Sequence, residues 1–486
     1  MPDSKNQNIH ALLQAASDEQ GTSVYFNYED QTVTYAEGLD RVQRCASYLK
    51  GRGVKRGDRV VMDLFNTPEF VYTFMACAQL GAIAVLIGPV ARRYEIDYIV
   101  RETDPSLIIT SALLTDHFMI DGTFVTDVSR IWLVDENHPE RNLFGVLQKE
   151  QPLSDCETIT DGSAAAIIYT SAMDGYPLGV MLPHRGIRNS TKALAEFINP
   201  EDSFMCVLPL FHAFGLTSAM ITPLQSRTPF HLVRKFSPTE IAKEIAMRGA
   251  TVMPGVPKMF MMMNAMLPPG EHFPKLRCCI SGGEGISEQT QQEIKDKYNL
   301  DVREGYGLTE ASPIVTWNHM DTENRFGSVG KVMPWNEVRF VDDNGNDVAQ
   351  GETGEIWVKG VNVTPGYYNR DDRTAEMITD GWMHTGDYGY MDPDGYVFLT
   401  GLKKNMVLNS AFNVYPKEVE RILQNHPDVQ DIEIIIHEEQ QPGDIVRHYT
   451  EAKITSKSGT LSEGKMKLWC KDNISNYKIP RKFTIS

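Results

Sequence analysis

The sequence has no apolar run of the ~20 residues that a bilayer-spanning helix needs. Its best candidate, Ala76 to Val90, is interrupted by Gln79, Gly81 and Gly88 and meets a proline, so it reads as helix–turn–strand. The amino terminus (Met1-Pro2-Asp3-Ser4-Lys5-Asn6-Gln7-Asn8) has no basic segment followed by an apolar one, so no secretory leader is expected. Cysteine is scarce, odd in number and scattered (Cys45, Cys77, Cys156, Cys206, Cys278, Cys279, Cys470). That argues against a disulfide framework and fits buried free thiols in a reducing, cytoplasmic setting. No cysteine pair has zinc-ligand spacing, and the twelve histidines do not cluster. Positive charge is also short, with 47 Lys and Arg against 64 Asp and Glu and a net charge of −17. A nucleic-acid backbone needs a basic face, so nucleic acid is not expected as a partner. ATP and coenzyme A need only local positive charge and remain open.

What is present is an ordinary globular composition, 42% hydrophobic and 23% charged, over 486 residues, enough for two to four domains. In the first 160 residues helix and strand signals alternate. Thr34 with Glu37 makes a capping box, and Leu39, Val42, Ala46 and Leu49 recur at helical spacing until Gly51 and Gly53. A strand over Val60–Met62, a helix opened by Pro68 and a strand over Ala82–Ile87 follow, which is β–α–β punctuation and predicts a largely parallel sheet. Further strands are predicted at Ala164–Tyr169, Phe204–Leu208 and Cys278–Ile280. Ser237, Pro238 and Glu240 predict a helix start with capping-box and first-turn proline chemistry. From Glu337 to about Tyr367 the period becomes two, with turns at Asp343-Asn344-Gly345 and Gly351-Glu352-Thr353-Gly354, predicting a small antiparallel unit. After Gly401 a helix (Pro416–Asn425), two strands (Ile432–Ile436 and Thr450–Thr455) and a helix from Leu461 predict a compact α+β module. The expected architecture is α/β: a large unit over 1–400, including a β subdomain over 337–400, and a small mobile unit over 401–486.

Three glycine-bearing segments stand out. Tyr306-Gly307-Leu308-Thr309-Glu310 follows a strand-like stretch, and Asp387 lies in Trp382-Met383-His384-Thr385-Gly386-Asp387. Pro209-Leu210-Phe211-His212-Ala213-Phe214-Gly215 comes just after an apolar strand, where ligand loops gather in α/β sheets. In this order, across the whole chain, they resemble the adenylate-forming, acyl-activating superfamily of acyl-CoA synthetases, peptide-synthetase adenylation domains and luciferases. The resemblance implies roles. Thr309 touches the AMP phosphate and Glu310 holds Mg²⁺, a hard cation that takes oxygen ligands and only one or two carboxylates. Asp387 accepts the ribose hydroxyls, and Tyr306 and Gly307 belong to the nucleotide site. Ser281-Gly282-Gly283-Glu284-Gly285 is the loop along which adenine and the acyl group lie. His212 stands at the mouth of the acyl pocket, and Lys404 is the hinge about which the small unit turns.

The departures fall on the phosphate side. The superfamily's loop reads Tyr-Thr-Ser-Gly-Thr-Thr-Gly-x-Pro-Lys-Gly-Val, and here Tyr169, Thr170, Ser171, Gly175, Pro177 and Gly179 keep the frame. Ala172 replaces a glycine, Met173 and Asp174 replace hydroxyl donors, and Leu178 replaces the lysine. A hydrogen bond to a charged group contributes roughly 1.5–3 kcal/mol. A carboxylate at ~4 Å from a phosphate, at an effective dielectric near 20, adds about 4 kcal/mol of repulsion per unit charge. Asp174-Gly175 is also a favoured pair for a tight hairpin turn, so the cradle is expected to have become a plain β-turn. In Gly401-Leu402-Lys403-Lys404-Asn405 the phosphate-contacting arginine is Leu402. In Asn409-Ser410-Ala411-Phe412-Asn413 two glycines have gained side chains, Ser410 and Ala411, which narrows the expected pantetheine tunnel. The superfamily's catalytic Gly-Lys follows the Tyr477-Lys478-Ile479-Pro480 landmark. Gly464-Lys465 precedes it, so the expectation is that this lysine is missing or that the chain is a shortened version.

Three activities fit these residues. One is a ligase that uses ATP and Mg²⁺ to make acyl-AMP from a small carboxylic acid and then acyl-CoA. A second is an ATP-independent acyltransferase from acyl-CoA to the phosphopantetheine thiol of an acyl carrier protein. A third is a non-catalytic homologue. Because the adenosine-side residues are kept and the phosphate-side cations are lost, AMP or adenosine should bind about as tightly as ATP in calorimetry. ATP binding at least tenfold tighter than AMP would contradict this.

Overall fold

The computed structural model describes residues 6–120, 122–134, 143–160, 162–172, 175–269, 273, 275–402, 407–409, 412–441 and 445–486. Met173, Asp174, Lys404, Ser410 and Ala411 lie outside the described residues, as does the side chain of Leu402.

Two large sheets carry the architecture. One has six strands in the order Leu178–Pro183, Ala164–Thr170, Ile83–Ile87, Arg59–Asp63, Leu107–Ser111 and Ile131–Val134, parallel except for the first. The other has nine, with a parallel centre of Val302–Gly307, Cys278–Ser281, Val252–Gly255, Phe204–Cys206, Phe230–Leu232 and Val24–Tyr28. Helices Tyr35–Gly51 and Pro68–Leu80 contribute to a core that draws residues from both sheets. The second helix is buried along its whole length, which is why its sequence is apolar on every face. A five-stranded antiparallel sheet is built on Asn336–Val341, Gly354–Gly360 and Trp382–Met391, with Val397–Leu402 paired to the last of these.

The local signals mostly translate directly. Thr34 Oγ1 accepts from the Glu37 N–H and Glu37 Oε2 accepts from the Thr34 N–H at 2.9 Å, closing the expected capping box. The helix after Ser237 runs Pro238–Arg248, but the Ser237 side chain makes no cap hydrogen bond, so the capping box expected there does not form. The strands of the last unit are longer than alternation predicted, at Val429–Gln441 and Ile445–Ser456, because the two form one long antiparallel hairpin. Their helices are Pro416–Leu423 and Glu463–Asn473. The seven cysteines are all free thiols, six of them buried.

The last unit is tied to the first by charge. Lys478 Nζ donates to Glu95 Oε1 at 2.6 Å and to Glu418 Oε1 at 2.7 Å, and all three side chains are buried. Glu95 lies on the helix Arg93–Thr103 of the large unit and Glu418 on the helix Pro416–Leu423. Glu95 Oε2 also accepts from the backbone N–H and hydroxyl of Ser475. Burial alone would lower the Lys478 pKa, but the two carboxylates outweigh it and hold it well above its ordinary value. Removing one partner of a buried ionic group costs about 3–5 kcal/mol, because the remaining charge is left uncompensated. Lys478→Met should therefore lower the urea unfolding free energy by about that amount. A loss under ~1 kcal/mol would mean that the cluster does not hold the units together.

Candidate active site

The candidate residues converge because parallel strands deliver them at one edge, as ligand loops do in α/β sheets. Ser281 ends the strand Cys278–Ser281, and Gly282 and Gly283 follow; Tyr306 and Gly307 close the strand Val302–Gly307; the His212 loop follows Phe204–Cys206. These segments line one cavity of about 60 Å³, together with Thr309, Leu194, Ile314 and Trp317. A Cβ at Gly307 would lie 1.8 Å from the Pro313 carbonyl oxygen, so the turn requires glycine.

His212 is half-buried, and loss of solvation pushes its pKa down to about 4. Its Nδ1 accepts from the Phe214 N–H at 3.2 Å, which leaves the proton of the neutral ring on Nε2. Tyr306 donates to Asp387 Oδ2 at 2.6 Å, joining the nine-stranded sheet to the five-stranded one. Asp387 is further fixed by its own N–H to Thr385 Oγ1, whose hydroxyl donates to the Ile356 carbonyl. Tyr367 donates to Glu310 Oε1 at 3.1 Å, and the Glu310 carbonyl accepts from the Thr364 N–H at 2.7 Å. Thr309 and Glu310 sit in a short 3-10 turn, Thr309–Ala311, against which the strand Leu178–Pro183 packs. Glu284 is half-buried in its loop and is not among the cavity-lining residues.

Thr170 ends a strand of the other sheet, and Ser171 opens the altered phosphate loop. Thr170 pairs with Leu178, so residues 171–177 connect the two strands, longer than a two-residue hairpin. Within that connection the Gly175 N–H donates to the Ala172 carbonyl at 3.1 Å, and the expected Asp174-Gly175 turn lies partly outside the described residues. Leu178 and Ala172 are both buried at 5% exposure, so the residue in the lysine's place serves as packing. Arg421 Nε donates to the Gly175 carbonyl at 2.7 Å, and its guanidinium lies 4.9 Å from the Tyr176 ring centre. Gly175 has φ +86°, and a Cβ there would meet the Lys417 carbonyl oxygen at 2.8 Å. The small unit thus rests directly on the loop.

Sequence reasoning missed several neighbours. Tyr367 and Tyr415 had no motif to flag them. The Tyr415 pKa is raised, by burial first and then by the charges of Glu310 and Asp387. Trp317, Ser218 and Ser281 line the cavity, and each holds a buried polar atom without a hydrogen-bond partner among the described residues. Each such group costs about 1–3 kcal/mol while unpaired. Glu304 lies in the strand Val302–Gly307, just before Gly305, where burial pushes its carboxyl up to about 8. The unfolded chain ionises this group first, so stability is fully present below its ordinary pKa of 4.5 and is lost as pH rises towards 8. The slope approaches ~1.4 kcal/mol per pH unit. Between pH 5.5 and 7.5 Glu304→Gln should lose roughly 2–3 kcal/mol less unfolding free energy than the parent chain. Parallel losses in the two would mean that Glu304 is ionised in the fold.

Comparison with known proteins gives the same picture. Residues 13–368 match the AMP-binding enzyme family. The long-chain-fatty-acid–CoA ligase of Bacillus subtilis is 27% identical over 98% of this chain and 91% of its own length. The 4-coumarate–CoA ligase 2 of Nicotiana tabacum is 29% identical over 94% of this chain and 86% of its own. The crystal structure of ATP-bound MatB from Rhodopseudomonas palustris superimposes with a TM-score of 0.77 at 26% identity, covering 99% of this chain and 95% of that one. The match over residues 13–368, with relatives and fold alike from end to end, places the chain in the AMP-binding enzyme family of the adenylate-forming superfamily.

Proposed function

We propose that the chain is an AMP-forming acid–thiol ligase that activates a carboxylic acid as acyl-AMP and passes the acyl group to coenzyme A. The observation that carries this reading is the pair of anchored carboxylates beside one cavity: Asp387 held by Tyr306, and Glu310 held by Tyr367. In the first half-reaction the acid's carboxylate attacks the α-phosphorus of ATP and pyrophosphate leaves. In the second the coenzyme A thiol attacks the acyl carbonyl, loses its proton, and AMP leaves. Asp387 holds the ribose hydroxyls, Thr309 and Tyr306 with Gly307 border the nucleotide phosphate and base, and the Ser281–Gly285 loop borders adenine and the acyl chain. His212, neutral at pH 7, closes the acyl side without adding charge. No group of three or more potential metal ligands exists among the described residues. A single carboxylate, Glu310, nevertheless fits Mg²⁺, which is held by one or two carboxylates together with substrate phosphates, and the ion would offset phosphate charge. The unit after residue 402 would turn about Lys404 between the two half-reactions.

The buried Leu178 and the loop tethered by Arg421 support a weak triphosphate grip, and they favour a second reading. In that reading the chain moves an acyl group from acyl-CoA to the phosphopantetheine thiol of a carrier protein. Losing one preorganised donor at a developing charge costs about 10²–10³ in rate, so adenylation should be slow. Synthetic acyl-AMP should bypass the slow step and give acyl-CoA with coenzyme A, while Leu178→Lys with Asp174→Thr and Leu402→Arg should raise pyrophosphate release from ATP. Turnover of the parent on the order of 10 s⁻¹ would contradict the weak grip. Loading of a carrier protein from acyl-CoA without ATP, abolished by His212→Ala and seen by mass spectrometry, would replace the ligase with the transferase.

A further inference from the structure

The contacts between the two units close over the loop that a triphosphate needs. Lys417 and Arg421 belong to the helix Pro416–Leu423 of the small unit. Arg421 Nε donates to the Gly175 carbonyl at 2.7 Å. A Cβ on Gly175 would meet the Lys417 carbonyl oxygen at 2.8 Å and the Glu418 backbone nitrogen at 3.3 Å. Backbone rests on backbone there, and no phosphate fits between helix and loop. In the ligase reading ATP occupies that loop only in the first half-reaction, since pyrophosphate has left before the thiol attacks. The observed docking therefore suits the second half-reaction, and ATP must displace the helix to bind.

What holds the docking lies away from the loop, on the helix Arg93–Thr103 of the large unit. Glu95 Oε2 accepts from the Arg92 N–H at 3.0 Å, which anchors the carboxylate within its own unit. Across the junction Oε2 accepts from the Ser475 N–H at 3.1 Å and the Ser475 hydroxyl at 2.6 Å, and Oε1 accepts from Lys478 at 2.6 Å. Tyr94 sets its ring against Trp469, centres 5.9 Å apart, and Arg92 Nε donates to the Lys471 carbonyl at 3.1 Å. None of these residues lines the candidate cavity. Lys478 and Glu418 both belong to the small unit, so that unit keeps a compensated pair when it lifts away. Only Glu95 loses its charge partner, and lifting returns it to water, where a lone carboxylate carries no burial penalty. The contact can bias the orientation and still be reversible.

We propose that Glu95 is a positioning residue: with Lys478 and Ser475 it holds the small unit over the Gly175 loop, so that ATP binding competes with docking. This rests on the ligase reading above and adds to it a residue that touches neither substrate nor nucleotide. A ligand that binds only the undocked form has its affinity reduced by the fraction of chains in that form. AMP has no β- or γ-phosphate to place at the loop and carries no such reduction.

The test compares Glu95→Gln with the parent by calorimetry with AMP and with ATP plus Mg²⁺, and by small-angle X-ray scattering without nucleotide. Glutamine keeps the shape and an oxygen for Ser475 but removes the charge beside Lys478. ATP should bind the variant at least about fivefold tighter than the parent, with AMP affinity changed by less than about twofold. Scattering of the parent should match the docked arrangement, and that of the variant should depart from it. Ser475→Ala, which removes a single hydroxyl donor, should tighten ATP binding by about two- to threefold. Unchanged ATP affinity in Glu95→Gln, or scattering identical to the parent's, overturns the proposal. If Glu95→Gln loses both nucleotides through a damaged fold, Ser475→Ala decides alone, and unchanged ATP binding there overturns it. If neither nucleotide binds the parent, the ligase reading falls, and scattering alone decides whether Glu95 holds the docking.

Discussion

One buried ammonium group sets the relation between the two halves of the site. Lys478 reaches Glu95 on the large unit and Glu418 on the small one. In this arrangement each buried charge depends on the others for compensation, so the turn proposed about Lys404 must break the Lys478–Glu95 contact. Glu418 sits on the helix that also carries Arg421 and Lys417, so the same geometry presses that helix against the Gly175 turn. Tyr415, just ahead of the helix, is buried there, and the charges of Glu310 and Asp387 add to the rise in its pKa.

The site has two faces with different physics. On the face proposed for adenosine each carboxylate accepts from a tyrosine hydroxyl, Asp387 from Tyr306 and Glu310 from Tyr367. On the phosphate face, the position of a cation is taken by Leu178, which packs as a core residue against the neighbouring strand. Returning an ammonium to that position would place it among apolar neighbours, where a lysine must extend its stem to bring its charge to solvent or ligand. The two faces belong to different sheets, and the strand Leu178–Pro183 joins them by lying against Thr309–Ala311.

Periodicity and capping chemistry made most elements legible, because their causes are local. Thr34 with Glu37, Pro68, and the apolar strands before Ser281 and Tyr306 are examples. Motif spacing located His212, Thr309, Glu310 and Asp387, since each stands in a short segment of recognisable composition. Ser237 misled because a serine ahead of a proline has the composition of a cap without its geometry. The long hairpin Val429–Ser456 was underestimated because the extension His437-Glu438-Glu439-Gln440-Gln441 is all polar and gives no alternation signal. Tyr367, Tyr415, Trp317 and Glu304 were invisible for a different reason. Their meaning lies in partners 57 residues away, as for Tyr367 and Glu310, or in burial that no neighbouring residue announces.

The π-helical segment Gly215–Ile221 holds an extra residue per turn relative to a regular helix. Chain length, and not only side-chain identity, is thereby a determinant of what the cavity presents. Shortening this segment by one residue would restore ordinary winding and carry Ser218 off the cavity wall, leaving every residue type around it unchanged. Divergence of acid preference among chains of this fold can accordingly be written in insertions and deletions, where a comparison of aligned residues sees only a gap.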